Sequence, residues 1–401
     1  MSIFFCIFLN TRYKNLTKGD ARAIMTKRAK KQKGVHKMRK IDQNLITRVE
    51  KMLVGTPLLA DSATYQKALS GRRVLVTGGG GSIGQELCRM VALCKPAKLI
   101  ILDIYENNAY EIEQELIRKY GNTLPLSVVI ASIRDSRRID AIFAEHKPEI
   151  VLHAAAHKHV PLMEENPAEA IKNNVFGTRN VFDAAEKHGV KKCILVSTDK
   201  AVNPTSVMGA SKRMCEIMMS ARHESATTFA AVRFGNVADS NGSVIPLFRR
   251  QIAEGGPVTV TDKRATRYFM SIAEACHLVL QATEMAKGGE VFVLDMGDAV
   301  SIYELACSLI REAGLVPERD IKITEIGLRV GEKLHEELRT SAQTLLPTLH
   351  TRIFVEESAP IPTAVVEDNL ETLADALAKE ENKESIKKAL QVAVPMYAPK
   401  Q

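Results

Sequence analysis

The chain has 401 residues, 45% of them hydrophobic and 25% charged, a balance ordinary for a soluble globular protein and long enough to bury a core as one large domain or two modest ones. Its formal net charge of +8 sits at the front, where Arg12 to Lys51 carries Lys27, Arg28, Lys30, Lys31, Lys33, Lys37, Arg39 and Lys40. The remainder is close to neutral, so the charge gives no reason to expect an acidic partner for the folded part.

Residues 1–45 read as a basic, disordered leader, because blocks of like charge repel and stay solvated. Weak contact with an anionic membrane surface is open to it; nucleic acid is not expected, for no stacking aromatics or binding motif accompany the charge. The apolar run Ile3 to Leu9 falls far short of the ~20 residues that span a bilayer. It also lacks the basic start and small-residue cleavage site of a signal peptide, and Met25 and Met38 leave a later start open. The seven cysteines (Cys6, Cys88, Cys94, Cys193, Cys215, Cys276, Cys307) form no C-x-x-C pair, which argues for a reducing compartment, against a zinc site or disulfide framework, and for a cytoplasmic protein.

A packing segment is expected at 46–71. From Arg72 short β-branched runs alternate with amphipathic stretches, the pattern of a doubly wound α/β fold with a parallel sheet. Strands are expected at Arg73 to Thr77, Lys98 to Asp103, Leu126 to Ile130, Ile150 to Ala154, Lys192 to Ser197, Thr228 to Arg233 and Glu290 to Leu294. Helices are expected at Gly84 to Cys94, Ala109 to Tyr120, Ser136 to His146, Glu169 to His188 and Met208 to His223. The spacing therefore predicts a Rossmann-type domain over 46–235. Beyond Gly235 the alternation loosens, with helices at Ile272 to Ala286 and Ile302 to Ala313, and a smaller substrate lobe is expected over 236–340, some of it returning to the sheet. From Ser341 a Pro-broken stretch and a charged helical pattern, Leu370 to Val392, predict a helical appendage over 341–401.

Thr77-Gly78-Gly79-Gly80-Gly81-Ser82-Ile83-Gly84 follows a strand and opens a helix, so backbone amides at a positive helix end can face a pyrophosphate. Asp103 closes the next strand, where a carboxylate would accept from both ribose hydroxyls and repel a 2′-phosphate. Together they predict a dinucleotide site that favours NAD over NADP. Four more stretches fall at or beyond carboxyl ends of strands, where open α/β sheets bind ligands: His153 to Pro161, Asn174 to Thr178, Ser197 to Lys200, and Met208 to Lys212.

On Thr77 to Gly84, Asn174, Ser197 to Lys200 and the Met208 to Lys212 spacing, the chain resembles the extended short-chain dehydrogenase/reductase superfamily. Within it, the strings Ala155 to Pro161, Ser197 to Pro204, Met208 to Arg213, Arg233 to Val237, Thr266 to Met270 and Arg329 to Leu338 are similar to the configuration-retaining UDP-N-acetylglucosamine 4,6-dehydratases of its polysaccharide-biosynthesis branch. Met208 stands four residues before Lys212, where most of the superfamily has tyrosine; a thioether can neither take nor give a proton. The retaining dehydratases carry methionine there, whereas inverting dehydratases and epimerases keep tyrosine.

The resemblance implies that NAD takes hydride from C4 of the sugar, water leaves across C5 and C6, and the hydride returns to C6. Lys200 would be the C5 base, its pKa lowered by burial and a neighbouring cation. Asp199 would be the acid at the 6-hydroxyl, held partly neutral by its site. Thr198 would bond the 4-hydroxyl and Lys212 the nicotinamide ribose. The implied cofactor positions are Gly78, Gly81, Ser82, Ile83, Gly84, Asp103, Ser132, Ile133, Ala154, Ala155, Ala156, Asn174 and Lys212. An asparagine at 174 more often bends its helix around a water than contacts ligand.

For the UDP-sugar substrate the resemblance points to Lys158, His159, Asn236, Ser243, Val244, Thr259, Arg267, Arg329 and Glu332, with the two arginines as diphosphate partners, because a guanidinium fork matches phosphate oxygens. No metal is implied, and a homo-oligomer is expected. Ser132, Ala265 and Val330 depart from the family's usual aspartate, methionine and proline. A UDP-sugar 4-epimerase or inverting dehydratase on the same fold, and a non-catalytic nucleotide sensor, are the rival readings.

Overall fold

The computed structural model describes residues 63–399 except 340–343, 358 and 380–381. The basic leader and most of the expected packing segment lie outside the described residues. What is described of that segment is the helix Ala63–Leu69, whose Tyr65 hydroxyl meets His277 Nδ1 at 3.3 Å.

The first six strands are β1 (Arg73–Thr77), β2 (Lys98–Asp103), β3 (Leu126–Ile130), β4 (Ile150–His153), β5 (Lys192–Val196) and β6 (Thr228–Arg233). Four short strands follow, β7 (Asn236–Val237), β8 (Val258–Val260), β9 (Thr266–Arg267) and β10 (Phe269–Met270), and then β11 (Val291–Leu294). Last come β12 (Val300–Ser301), β13 (Ile323–Glu325), β14 (Leu345–Pro347) and β15 (Ile353–Glu356). The main sheet has nine strands in the order β14-β15-β11-β6-β5-β4-β1-β2-β3. All pairs from β3 to β11 are parallel; β15 joins β11 antiparallel, and β14 joins β15 likewise. The seven strands read from the alternation are therefore all present. The hairpin β14-β15 is a difference: the stretch expected as part of a helical appendage adds two strands to the sheet edge.

Strand β1 shows why these runs are continuously apolar: both faces of the sheet are covered. Val74 and Val76 point to one side, into a core with Leu87, Val91, Ile112, Leu116 and Val279. Leu75 points to the other, with Ile139, Phe143, Phe182, Met214 and Leu390. Strand order reverses between β1 and β4, whose ends pair Thr77 with His153, so a crevice opens at the carboxyl ends there.

Two expected helices are broken. The run expected from Glu169 to His188 becomes Pro167–Ala170, a π-helical turn Ile171–Phe176, and Gly177–Lys187. The C-terminal pattern becomes two helices, Thr363–Ala378 and Lys383–Ala393, the second started by Asn382, whose side chain accepts from the Glu384 amide at 3.0 Å.

Candidate active site

The helix Ser82–Leu93 starts directly on the glycine loop, with no side-chain cap and no acid in its first turn, so its first amides are open to an anion. Gly78 has φ +64°, and a Cβ there would lie 2.7 Å from the Ala155 backbone. At Gly84 a Cβ would lie 1.9 Å from the Gly78 carbonyl oxygen. Only glycine lets loop, helix and β4 end approach this closely. Asp103 accepts from the Gly80 amide at 2.8 Å through one oxygen and from the Tyr105 amide at 2.8 Å through the other. It is buried, holds the loop's shape and lies outside the cleft lining, with one amide bond on each oxygen.

The cleft in front of the loop encloses about 640 Å³ and is lined by Gly78, Gly81, Ser82, Ile83, Gly84, Ala154, Ala156, Thr198, Lys200, Met208 and Lys212 among others. Ala155, Ser132, Ile133 and Asn174 do not line it. Ala155 is the backbone that Gly78 packs on, and Ser132 Oγ accepts from the Arg134 amide at 3.2 Å. Ile133 is buried beside Gly177. The Asn174 side chain accepts from the His157 amide at 2.7 Å and donates to the His157 carbonyl at 3.0 Å and Ser211 Oγ at 2.9 Å. Sitting in the π-helical turn, it ties the end of β4 to the helix Val207–Ser220.

Strand β5 leads into a single 3-10 turn, Asp199–Ala201, capped by Thr198; Thr198 and Lys200 face the cleft. Lys200 Nζ donates to Asp199 Oδ1 at 3.0 Å and Asn236 Oδ1 at 3.2 Å, and lies 3.7 Å from Glu336 Oε1. Thr198 Oγ1 donates to the same Asp199 oxygen at 2.9 Å. Asp199 is fully buried, and its Oδ2 has no partner. The expected lowering of the Lys200 pKa is overturned: burial pulls it down, but Asp199 and Glu336 outweigh burial, and the value is raised above the ordinary one. The sequence shows neither carboxylate's distance, so the expected balance of burial and a neighbouring cation left out the two anions that decide it.

Ser206 caps the helix Val207–Ser220, accepting from the Gly209 amide at 3.1 Å. Its first two turns place Met208 and Lys212 on the cleft wall. Lys212 has its pKa pulled below the ordinary value, chiefly by burial.

A second cavity, about 260 Å³, adjoins the first and shares Lys158, His159, Lys200, Asn236, Ser243 and Val244 with it. Thr259, Arg267, Arg329 and Glu332 also line it. Ser243 Oγ is buried with no partner, a hydroxyl suited to a bound ligand. Arg329 is exposed at the rim. Arg267 differs from the expected free phosphate clamp: it donates to the carbonyls of Thr266, Leu334 and Lys333 and to Glu332 Oε1 at 2.7 Å, and its Nε lies 3.9 Å from Glu336. Four of its five N–H groups are thus engaged, three of them pinning the 332–336 loop. Sequence reasoning missed Glu336 as a site residue, although it lies within the Arg329 to Leu338 string. Gly242 was also missed; a Cβ there would meet the His159 ring at 2.6 Å. Among the described residues, no group of three or more His, Cys, Asp or Glu could hold a metal, and no helix is long and apolar enough to cross a membrane.

Residues 74–358 match the polysaccharide biosynthesis protein family. The capsular polysaccharide biosynthesis protein CapD of Staphylococcus aureus is 54% identical over 292 residues, which cover 72% of this chain and 49% of that protein. The chain thus spans about half the length of that relative. A UDP-N-acetylglucosamine 4,6-dehydratase (inverting) of Campylobacter jejuni is 38% identical over 273 residues, 67% of this chain and 77% of the relative. Among solved structures, Pen from Bacillus thuringiensis superposes with a TM-score of 0.66 at 37% identity, covering 72% of this chain and 88% of that one. With the Rossmann-like sheet, these likenesses establish that the chain belongs to the polysaccharide biosynthesis protein family.

Proposed function

We propose that the protein is an NAD-dependent, configuration-retaining UDP-N-acetylglucosamine 4,6-dehydratase. The observation that carries this reading is the bonded cluster Thr198, Asp199 and Lys200, in which Lys200 lines both cavities, Thr198 lines the larger one and Asp199 is buried directly behind them, beside a methionine, not a tyrosine, at 208. The residues of the larger cleft fit a dinucleotide: the uncapped helix start at Ser82 suits its pyrophosphate, and Lys212 suits the nicotinamide ribose. When bound, NAD supplies a reversible hydride acceptor for the sugar.

The chain's own groups account for the protons. With no tyrosine available, the unpartnered Asp199 Oδ2 receives the 4-hydroxyl proton while Thr198 orients that hydroxyl. Asp199 then gives this proton to the departing 6-hydroxyl, so one carboxylate serves as base and acid in turn. Lys200 removes the C5 proton and restores one at the same carbon. Ser243, Asn236, Lys158 and Arg329 line the nucleotide-sugar side and supply donors for diphosphate and amide groups.

Incubation with UDP-N-acetylglucosamine, followed by mass and NMR, tests the reading. Loss of one water with a 4-keto, 6-deoxy product is the expected result. Unchanged mass with a new C4 epimer contradicts it, and no reaction with tight substrate binding favours a sensor. Lys200→Ala is expected to abolish turnover while leaving UDP binding nearly intact; persistent turnover would remove Lys200 as base.

A further inference from the structure

Lys200 raises a difficulty that the dehydratase reading leaves open. A C5 base must be a neutral amine, yet Lys200 is held as an ammonium by carboxylates on either side. Asp199 cannot relieve it at the moment of need if it already carries the 4-hydroxyl proton. The remaining anion beside the amine is Glu336. It is buried at 7% exposure, with Oε1 3.7 Å from Lys200 Nζ and Oε2 without a partner.

The charged groups facing Glu336 are Lys200, Asp199, Arg267 and Lys333. Two of them have other work. Arg267 is fixed on Glu332 and three carbonyls, and Lys333 donates to the Val202 carbonyl at 2.8 Å and reaches Glu337 at 3.4 Å. Lys200 is therefore the one neighbour with a proton to exchange and a reaction to serve. Burial, the largest influence on Glu336, raises its pKa despite the nearby cations, and its Oε1 is the carboxylate oxygen nearest Lys200 Nζ after that of Asp199, so a small closing of the 3.7 Å gap brings it into proton-transfer range.

We propose that Glu336 is a positioning residue that takes the proton of Lys200 within the site and so prepares the neutral amine for C5. The inference rests on the dehydratase reading. In its first step the Lys200 Nζ–H bond breaks and a Glu336 Oε1–H bond forms, with no change in net charge. Lys200 then takes the C5 proton; the C5–H pair becomes the C5–C6 double bond as the C6–O bond breaks, and Asp199's proton leaves with the hydroxyl as water. When hydride has returned to C6, Lys200 gives its proton to C5, and Glu336 returns the stored proton to Lys200. All three side chains end as they began.

The test is the pH profile of kcat for wild type, Glu336→Gln and Glu336→Asp, with UDP-N-acetylglucosamine and NAD. Wild type is expected to be nearly flat between pH 6.5 and 9 (on the order of twofold variation), because the proton moves inside the site. Glu336→Gln must release it to solvent. A lysine near its ordinary value of about 10.4 is neutral in fewer than about one molecule in a thousand at pH 7. The glutamine variant is therefore expected to lose about 100-fold or more in kcat at pH 7, with KM within about threefold. Its kcat should recover about tenfold per pH unit up to pH 9. Glu336→Asp keeps a carboxylate and is expected to keep the flat profile at reduced kcat; it carries the test alone if the glutamine variant does not fold. An unchanged kcat, or a loss equal at every pH, overturns the inference while wild-type dehydration stands. Absence of dehydration by the wild type overturns the dehydratase reading, and the inference with it.

Discussion

Replacing Gly84 by alanine probes the cofactor loop at its tightest point. The new Cβ would lie 1.9 Å from the Gly78 carbonyl oxygen and 2.7 Å from Gly78 C and Gly79 Cα, against the 3.5–4.0 Å that unstrained heavy atoms keep. All three are backbone atoms, so no side chain can swing aside. The loop cannot easily slide either: the Gly79 amide donates to the Leu102 carbonyl at 3.1 Å, and the Gly80 amide to Asp103 at 2.8 Å. Overpacking of this kind costs about 1–3 kcal/mol. At roughly 2–4 °C per kcal/mol for a domain of this order, the variant is expected to melt about 2–12 °C lower without ligand. The displaced amides should also weaken NAD binding. A ligand at 100 times its Kd stabilises by about 2.7 kcal/mol, so a 100-fold weaker Kd would leave roughly 0.4 kcal/mol of that shift. Thermal melts with and without NAD, with calorimetric titration, read both effects. Wild-type melting and wild-type NAD affinity in Gly84→Ala would refute the loop geometry and its role together.

His153 lies buried between Thr77 Oγ1 at 2.6 Å and Thr178 Oγ1 at 2.9 Å; burial, then Lys212, pulls its pKa down to about 3. Its folded value is below its unfolded one, so its contribution is full above about pH 6.5 and is lost as pH falls toward 3. Urea unfolding of the wild type is expected to weaken across that window, and His153→Gln to show a shallower decline; equal slopes would contradict it. Glu216 sits fully buried against Arg233 at 2.8 Å and accepts from Ser197 Oγ at 2.6 Å. Glu216→Gln should destabilise by about 3–5 kcal/mol in chemical denaturation, because it strips a buried guanidinium of a counter-charge; a loss under 1 kcal/mol would show the network to be redundant through Glu356. Ser206→Ala removes the cap of the helix that carries Met208 and Lys212, and is expected to cost about 1 kcal/mol with a measurable fall in kcat. No change in either would mean that the cap does not position that helix.

The main sheet was legible because its strands are buried on both faces and leave unbroken apolar runs, as in Lys98–Asp103 and Ile150–His153. The glycine loop was legible because its steric demands are local. The hairpin β14-β15 was not, since Leu346 and Pro347 at the sheet edge are exposed and carry no alternation. Asp103 and Arg267 were recognised as residues but not in their bonding: the chain gives no hint that Tyr105 and Gly80 claim one carboxylate, or that three carbonyls claim one guanidinium. The charge state of Lys200 failed for the same reason. Its second carboxylate, Glu336, arrives from a distant loop through tertiary folding alone.

The most direct test of the central claim follows the hydrogen at C4. UDP-N-acetylglucosamine carrying deuterium at C4 is supplied to the wild-type protein with NAD, and the product is read by NMR and mass spectrometry. The account predicts that one water is lost and that the deuterium is found on C6 of the 4-keto, 6-deoxy sugar. Deuterium retained at C4 of an unmodified or epimerised sugar, or its loss to solvent, would contradict it.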